Sequence, residues 1–461
     1  MPLVGNFTLG AKYIVNPLGG PGVRITRIQP DSVFLSLPIF EQPNGPTVNH
    51  DVWAHGAMTN FGKNFIEITN GAGTGRLWSS ENGFTSASEE ITASNFVAYT
   101  PAANKDPVAA AQPIEFPAGQ AGTIMKSVNL LEGVNDRQQL LSHRMAVHIV
   151  TQAPAAGDLP PPLVSPDGAS RYNLADLDML SFSSFTVSSQ AKPNPNQILE
   201  AIRHPWENQT PARPPFDRFI NSAMGEKNFR RDSAKILMDA CVFAASDLDR
   251  TVRDNLRAAI VVQAQDTCQA LYNGSRFNFP QGDGGVQNGR KPVVVLAAML
   301  TGDPWMLHWA NRTDWAIEDA YCQYITAERL EAFGAGVAGV IDGFLPEDVG
   351  IPWWFPGPLA PQAAIKKHPT RKFWRTAYQE MFHVHMVGAH LLSHIVPGFR
   401  AAWNNDVVWD YCDRMHLRTQ YKDPTSIFAH GLFSGGTNNP SKWQVSSFLS
   451  AGVVPQWNWP V

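Results

Sequence analysis

Asn288, Arg290 and Lys291 crowd the end of the stretch Gln281-Gly-Asp-Gly-Gly-Val-Gln-Asn-Gly-Arg-Lys-Pro, which runs straight into the apolar segment Val293 to Leu300. Glycine reaches backbone conformations with φ above zero, and proline suits a first helical turn. The stretch therefore predicts a flexible loop that sets an amide and two cations beside a helix start at Pro292. Connecting segments stay at the surface and carry polar chemistry. These residues read either as the rim of a pocket or as a turn with solvated charges.

A second concentration of chemistry lies between Lys372 and His394, where the pattern predicts a helix. On a helix Arg375, Tyr378 and Phe382 fall on one stripe, and a guanidinium beside a phenol favours the charged phenolate that proton transfer needs. His383 or His385 could serve as an acid or base, because imidazole titrates near neutrality. His383, His390 and His394 share another face, and the i, i+4 spacing of His390 and His394 can hold a metal. No Glu lies between that pair in the zinc-protease manner, and satisfied core histidines are the competing reading. No metal or other cofactor is expected, although a divalent cation stays open.

Sugar contacts are suggested by the aromatic residues. Of 14 tryptophans only Trp53, Trp78 and Trp206 precede residue 300, and the later ones include Trp305, Trp353 and Trp354. Trp353-Trp354-Phe355 stands between prolines, where a loop would present flat indoles suited to the apolar face of a sugar ring, with ordinary packing as the alternative. His204-Pro-Trp206-Glu-Asn-Gln gathers an imidazole, an indole, a carboxylate and an amide, either as a cleft wall or as a capped turn opening a helix. Glu318-Asp319, Asp410, Asp413 and Arg414 read as surface salt bridges. There is no Gly-x-Ser-x-Gly element and no phosphate-binding loop, and Gly334-Ala-Gly-Val-Ala-Gly has the wrong context for a dinucleotide site.

The elements that must position these groups change character along the chain. Up to about residue 150 short β-branched and aromatic runs alternate with turns, as in Tyr13-Ile-Val, Val23 to Ile28, Phe65 to Thr69 and Met145 to Thr151, and they predict an antiparallel sandwich. A Pro-rich linker covers 153–166 and a second proline cluster follows Lys192. Beyond it the apolar spacing turns helical over Ser233 to Leu248 and Asp254 to Leu271, with further helices expected at 293–300, 315–324 and 406–414. Residues 1–190 are thus expected to form a β-sandwich-like domain and 191–461 an array of helical hairpins with a loop-rich C-terminal tail.

At 461 residues the chain exceeds what one core usually serves. A net charge of −4 argues against nucleic acid as a partner. Cys241, Cys268, Cys322 and Cys412 have no metal or redox spacing and read as free buried thiols. No run reaches membrane-spanning length and Met1-Pro-Leu-Val-Gly-Asn lacks a signal-peptide pattern, so a soluble protein is expected, acting outside the cytoplasm or in a periplasm if a leader is removed. Homo-oligomerisation is left open.

Through Gly284-Gly-Val-Gln-Asn-Gly-Arg-Lys-Pro, Trp315-Ala-Ile-Glu-Asp, Ala377-Tyr378 and Trp403-Asn-Asn-Asp to Asp410-Tyr-Cys-Asp-Arg, roughly residues 200 to 420 resemble the α/α-toroid enzymes that degrade polysaccharides. The resemblance implies an incomplete ring of helical hairpins beside a β-sandwich, here in the order β first and helices second, without the Asn-rich motif common in such lyases. It further implies β-elimination on a uronate-containing polysaccharide. Tyr378 with His383 or His385 would supply base and acid, and Asn288, Arg290 and His204 would neutralise the uronate carboxyl. Trp206, Lys291, Trp305, Trp353, Trp354 and Arg375 would bind substrate. A glycoside hydrolase on the same scaffold is the alternative and needs two opposed carboxyl groups. A non-catalytic carbohydrate-binding or virion-surface protein is the third reading.

Overall fold

Short, β-rich segments of the first 150 residues do pair into sheets, as their residue types favour. A computed structural model describes residues 3–4, 12–15, 18–19, 23–30, 63–70, 73–82, 88–91, 114–129, 140–152, 154–162, 171–177, 185–186, 192–202, 220–221, 231–272, 289–328, 349–354, 365–367, 374–417 and 444. The chain forms two compact units, each assembled from three stretches of sequence: 1–177, 196–227 and 254–275 in one, and 178–195, 228–253 and 276–461 in the other.

The first unit holds strands β1 (Leu3–Val4), β2 (Lys12–Val15), β3 (Val23–Pro30), β4 (Lys63–Asn70), β5 (Gly73–Asn82), β6 (Ser88–Ile91), β7 (Ile114–Phe116), β8 (Gly122–Asn129) and β9 (Leu140–Val150). One sheet runs β1-β2-β9-β8-β6, with β10 (Ile220–Asn221) also on β9, and the other runs β5-β4-β3-β7. Most pairs are antiparallel, but β2 and β10 each lie parallel to β9. A purely antiparallel arrangement was the expectation. It fails at these two pairs because strands so distant in sequence are not held to hairpin geometry.

Helices in the same unit are α1 (Pro195–Ile202) and, from residue 254 on, most of α3 (Arg250–Tyr272). The predicted stripe Leu256, Ile260, Val261, Ala264, Cys268 and Leu271 is buried. Gln263 Nε2 donates to the Ile202 carbonyl at 2.9 Å, and Gln265 Nε2 donates to that of Pro160, so both buried amide nitrogens are satisfied by backbone.

The second unit is mainly helical among its described residues. It contains α2 (Arg231–Ala244), α4 (Arg290–Thr301), α5 (Pro304–Asn311), α6 (Ile317–Tyr321), α7 (Ala377–Ile395), α8 (Phe399–Trp403) and α9 (Asp406–Leu417). Two small antiparallel ribbons accompany them: β11 (Cys322–Tyr324) with β12 (Pro352–Trp354), and β13 (Ile365–Lys367) with β14 (Trp374–Thr376). Helix α4 is buried nearly all round, as expected of a helix apolar on every side. Gly302, with φ 63°, ends it by returning its N–H to the Ala298 carbonyl, and Asp303 at once caps α5 by accepting from Trp305 N at 2.8 Å. Helix α4 packs on α2, α5 and α8, and α2 packs on α7.

Two predicted helices are shorter than their patterns. Residues 315–324 give only the five-residue α6, because Cys322-Gln-Tyr leaves the helix to pair with Pro352-Trp-Trp. Arg375 sits in β14 opposite Lys366, and α7 begins only at Ala377, the best helix former in that stretch. The helical stripe joining Arg375 to Tyr378 is therefore not formed.

Candidate functional site

The start of α4 is where the unusual backbone and the buried charge coincide. Gly289 caps the helix with φ 87°, and a Cβ there would meet Ala234 Cα at 2.9 Å, so glycine alone fits. Its N–H donates to Glu318 Oε1 at 2.7 Å. Arg290 and Lys291 follow it into the core, where Lys291 is fully buried.

Lys291 Nζ is ion-paired with Asp319 and donates to the Arg312 carbonyl at 3.0 Å, 5.2 Å from the centroid of the Trp403 ring. Asp319 Oδ1 accepts from Trp403 Nε1 at 2.9 Å and from Asn405 Nδ2 at 2.8 Å. Burial pulls the Lys291 ammonium below its usual range and pushes the Asp319 carboxyl above its own, each against the pull of the opposite charge. A cation in the first turn of a helix opposes the helix dipole, and the Asp319 carboxylate offsets both that and the loss of water.

Glu318, one residue earlier on α6, points to a different partner set. Its Oε1 also accepts from His385 Nε2 at 2.9 Å, both side chains being fully buried. Burial alone would raise the Glu318 carboxyl, but the hydrogen bond and charge of His385 and the Gly289 N–H outweigh it, and the group lies below the usual carboxylate range. Glu318 Oε2 is buried with no hydrogen-bond partner among the described residues. An ionised carboxylate can only accept, so the proton of this contact sits on His385 Nε2, and Nδ1 is the nitrogen through which the ring exchanges a proton with anything else. The arrangement fixes an imidazole in one tautomer and one orientation.

A second histidine of α7 repeats the theme on another face. His390 Nε2 donates to Asp413 Oδ1 at 2.6 Å. His394 Nε2 lies 3.2 Å from His390 Nε2, and Arg400 reaches His394 Nε2 at 2.8 Å and Asp413 Oδ1 at 3.2 Å. Burial holds both imidazoles below their usual range, His394 at about 3. Burial would raise Asp413, but His390 and Arg400 hold it at about 2. The local charges are then an anionic carboxylate, a guanidinium and two neutral rings. Indole stacking frames the group, with Trp409 at 6.4 Å from His390 and the Arg400 guanidinium 5.4 Å from the Trp409 ring.

Of the residues singled out in the sequence, Lys291 and His385 come together around Glu318 and Asp319, and Arg290 is buried between Gly289 and Lys291 in the chain. They do so in the core: the pocket-rim position expected for Arg290 and Lys291 is not found, because the helix starts at Arg290 and draws both inward. Trp305 stands partly exposed in the first turn of α5. Tyr378 and His383 lie on α7, Trp353 and Trp354 on β12 and Arg375 on β14, with their side chains outside the described residues. Asn288, His204 and Trp206 are outside them altogether. Glu318, Asp319, Asp413 and Arg414 were expected at the surface and are buried instead. The available signal was their setting: Glu318-Asp319 follows Trp315-Ala-Ile, all three buried, and Asp413 follows Tyr411-Cys412, both buried. Arg400, Trp403 and Asn405 complete the two clusters and carry no motif that spacing alone would reveal.

Comparison with protein-family models, with curated proteins and with solved structures gave no match.

Proposed function

We propose that the chain is a lyase that cleaves a uronate-containing polysaccharide by β-elimination, with the second unit an α/α-toroid and the first a β-sandwich. The observation that carries this reading is the His385–Glu318 pair, a buried carboxylate fixing an imidazole 2.9 Å away. β-Elimination needs a base to take the proton beside the uronate carboxyl, an acid to protonate the departing glycosidic oxygen, and positive charge on the carboxyl as the carbanion develops. His385 fills one proton-transfer role through Nδ1. Tyr378 fills the other: positions 378 and 385 are two helical turns apart on one face of α7, whereas position 383 falls on the opposite side.

Arg290, next to the glycine that holds Glu318, is the proposed neutraliser, with Asn288 preceding it. Lys291 has a positioning role, since its charge is matched by Asp319 inside the core. His385 is buried, so it exchanges a proton only where substrate displaces what covers Nδ1. Sugar stacking is assigned to Trp305, Trp353 and Trp354.

The test is ultraviolet absorbance on a panel of uronate polymers, because elimination leaves an unsaturated sugar. New reducing ends without absorbance would select a glycoside hydrolase, and neither signal would select a binding protein. His385→Gln and Tyr378→Phe should each lower turnover by about 10²–10⁴-fold, the usual worth of a positioned acid or base.

A further inference from the structure

Three potential metal-ligand atoms from two helices converge at the C-terminal half of α7. His390 Nε2, His394 Nε2 and an Asp413 oxygen all lie within 4.8 Å of one another. His390 Nε2 carries a single hydrogen, directed at Asp413. The same atom also faces His394 Nε2 at 3.2 Å and an Arg400 nitrogen at 3.3 Å, and it can bond neither while that hydrogen points elsewhere. Arginine only donates, so the contact at 2.8 Å turns the lone pair of His394 Nε2 toward the middle of the group. Asp413 supplies an anionic oxygen there. The lone pair of His394, a carboxylate oxygen, and a His390 ring that exposes its own Nε2 lone pair once its proton moves to Nδ1 converge beside a guanidinium that a metal cation can replace.

We propose that His390, His394 and Asp413 bind a divalent transition metal, zinc-like in its ligand preference, in exchange for the Arg400 guanidinium. Donors about 2.0–2.1 Å from a tetrahedral ion stand about 3.3 Å apart. The His390 to His394 separation of 3.2 Å already meets that spacing. The Asp413 oxygen has to draw back from His390 by about 0.7 Å to match it. On metal binding the His390 proton shifts from Nε2 to Nδ1, which frees the Nε2 lone pair to ligate. The i, i+4 placement on α7 puts both rings on one side of a rigid helix, and Asp413 on α9 closes the set from a second element.

The route in is past Arg400, whose side chain is 20 % exposed, while Asp413 beneath it is buried. The guanidinium, 5.4 Å from the Trp409 ring, can leave that ring toward solvent on its flexible stem. Three protein ligands leave a fourth position for water or an anionic ligand. This inference does not depend on the proposed lyase activity: position 390 and position 385 lie on different faces of α7.

The experiment is titration of the full chain, freed of metal by chelation, with Zn²⁺ by calorimetry and with Co²⁺ by visible absorption. One saturable site at micromolar free metal is expected, with Co²⁺ bands of a nitrogen-ligated tetrahedral ion. His394→Gln, at a partly exposed position, should weaken binding by more than about 100-fold, beyond the loss of an outer-shell contact. Arg400→Gln should tighten binding by about tenfold by removing the competing cation, a direction opposite to that of a supporting outer-shell residue. Absence of saturable binding overturns the proposal. Binding that His394→Gln leaves unchanged, with the variant folded by circular dichroism, overturns it equally.

Discussion

Lys291 shows how a single residue can look like a surface ligand and act as a core strut. Its ammonium is buried against Asp319, so Lys291→Met leaves a buried carboxylate held, among the described residues, by Trp403 and Asn405. Such an orphaned charge costs about 3–5 kcal/mol, and the double change Lys291→Met with Asp319→Leu should recover most of the loss. Urea denaturation midpoints check both; a single variant losing less than about 1 kcal/mol would assign the pair to the weak surface class. Glu318 gives a pH signature. Its folded value lies below the ordinary one, so the native chain binds fewer protons than the unfolded chain between the two. Its contribution is present above the usual carboxylate range near 4.5 and is lost as pH falls through the lower folded value. Wild-type stability should therefore fall more steeply below that range than the stability of Glu318→Gln, as followed by urea midpoints against pH.

Elements were legible where a pattern had one explanation. The apolar stripes of α2 and α3 and the all-apolar run after Pro292 gave helices near the expected bounds, because burial of those faces is what stabilises them. Residues 322–324 and 374–376 were not legible, since short aromatic segments take helix or strand according to a distant partner, here 352–354 and 365–367. The candidate site was legible in part. Asn288-Gly-Arg-Lys and His385 could be picked out by type, but the burial of Glu318 and Asp319 is set by tertiary packing that local sequence does not encode. The contact of α2 with α7 adds a further test. A Cβ on Gly388 would stand 2.2 Å from Met238 Cγ and 2.8 Å from Gln444 Oε1, so the two helices meet at a spot with no room for a methyl. Gly388→Ala should cost about 1–3 kcal/mol despite the better helix propensity of alanine, measured as a lowered thermal midpoint. A raised midpoint would mean that Met238 and Gln444 move aside freely.

For the whole molecule, the chain does not divide at a single linker. Residues 196–227 and 254–275 belong with the β-rich unit, although the expected boundary lay before them at 190/191, between the Pro-rich stretch 153–166 and the proline cluster after Lys192. Composition could not show this return, because the Gln263 and Gln265 bonds that tie α3 to residues 202 and 160 join points far apart in sequence. No described helix is long and apolar enough to cross a membrane. Helix α7 links the two chemical clusters, carrying His385 to Glu318 on one face and His390 to Asp413 on another. In the proposed reaction the first pair is the proton-transfer machinery. Its most direct test compares wild type, His385→Gln and Glu318→Gln for the rate of ultraviolet absorbance rise on the uronate polymer that wild type degrades fastest. The account predicts a steady rise for wild type, near-complete loss in His385→Gln and a large fall in kcat for Glu318→Gln. No rise on any uronate polymer, or equal rates in folded variants, would contradict it.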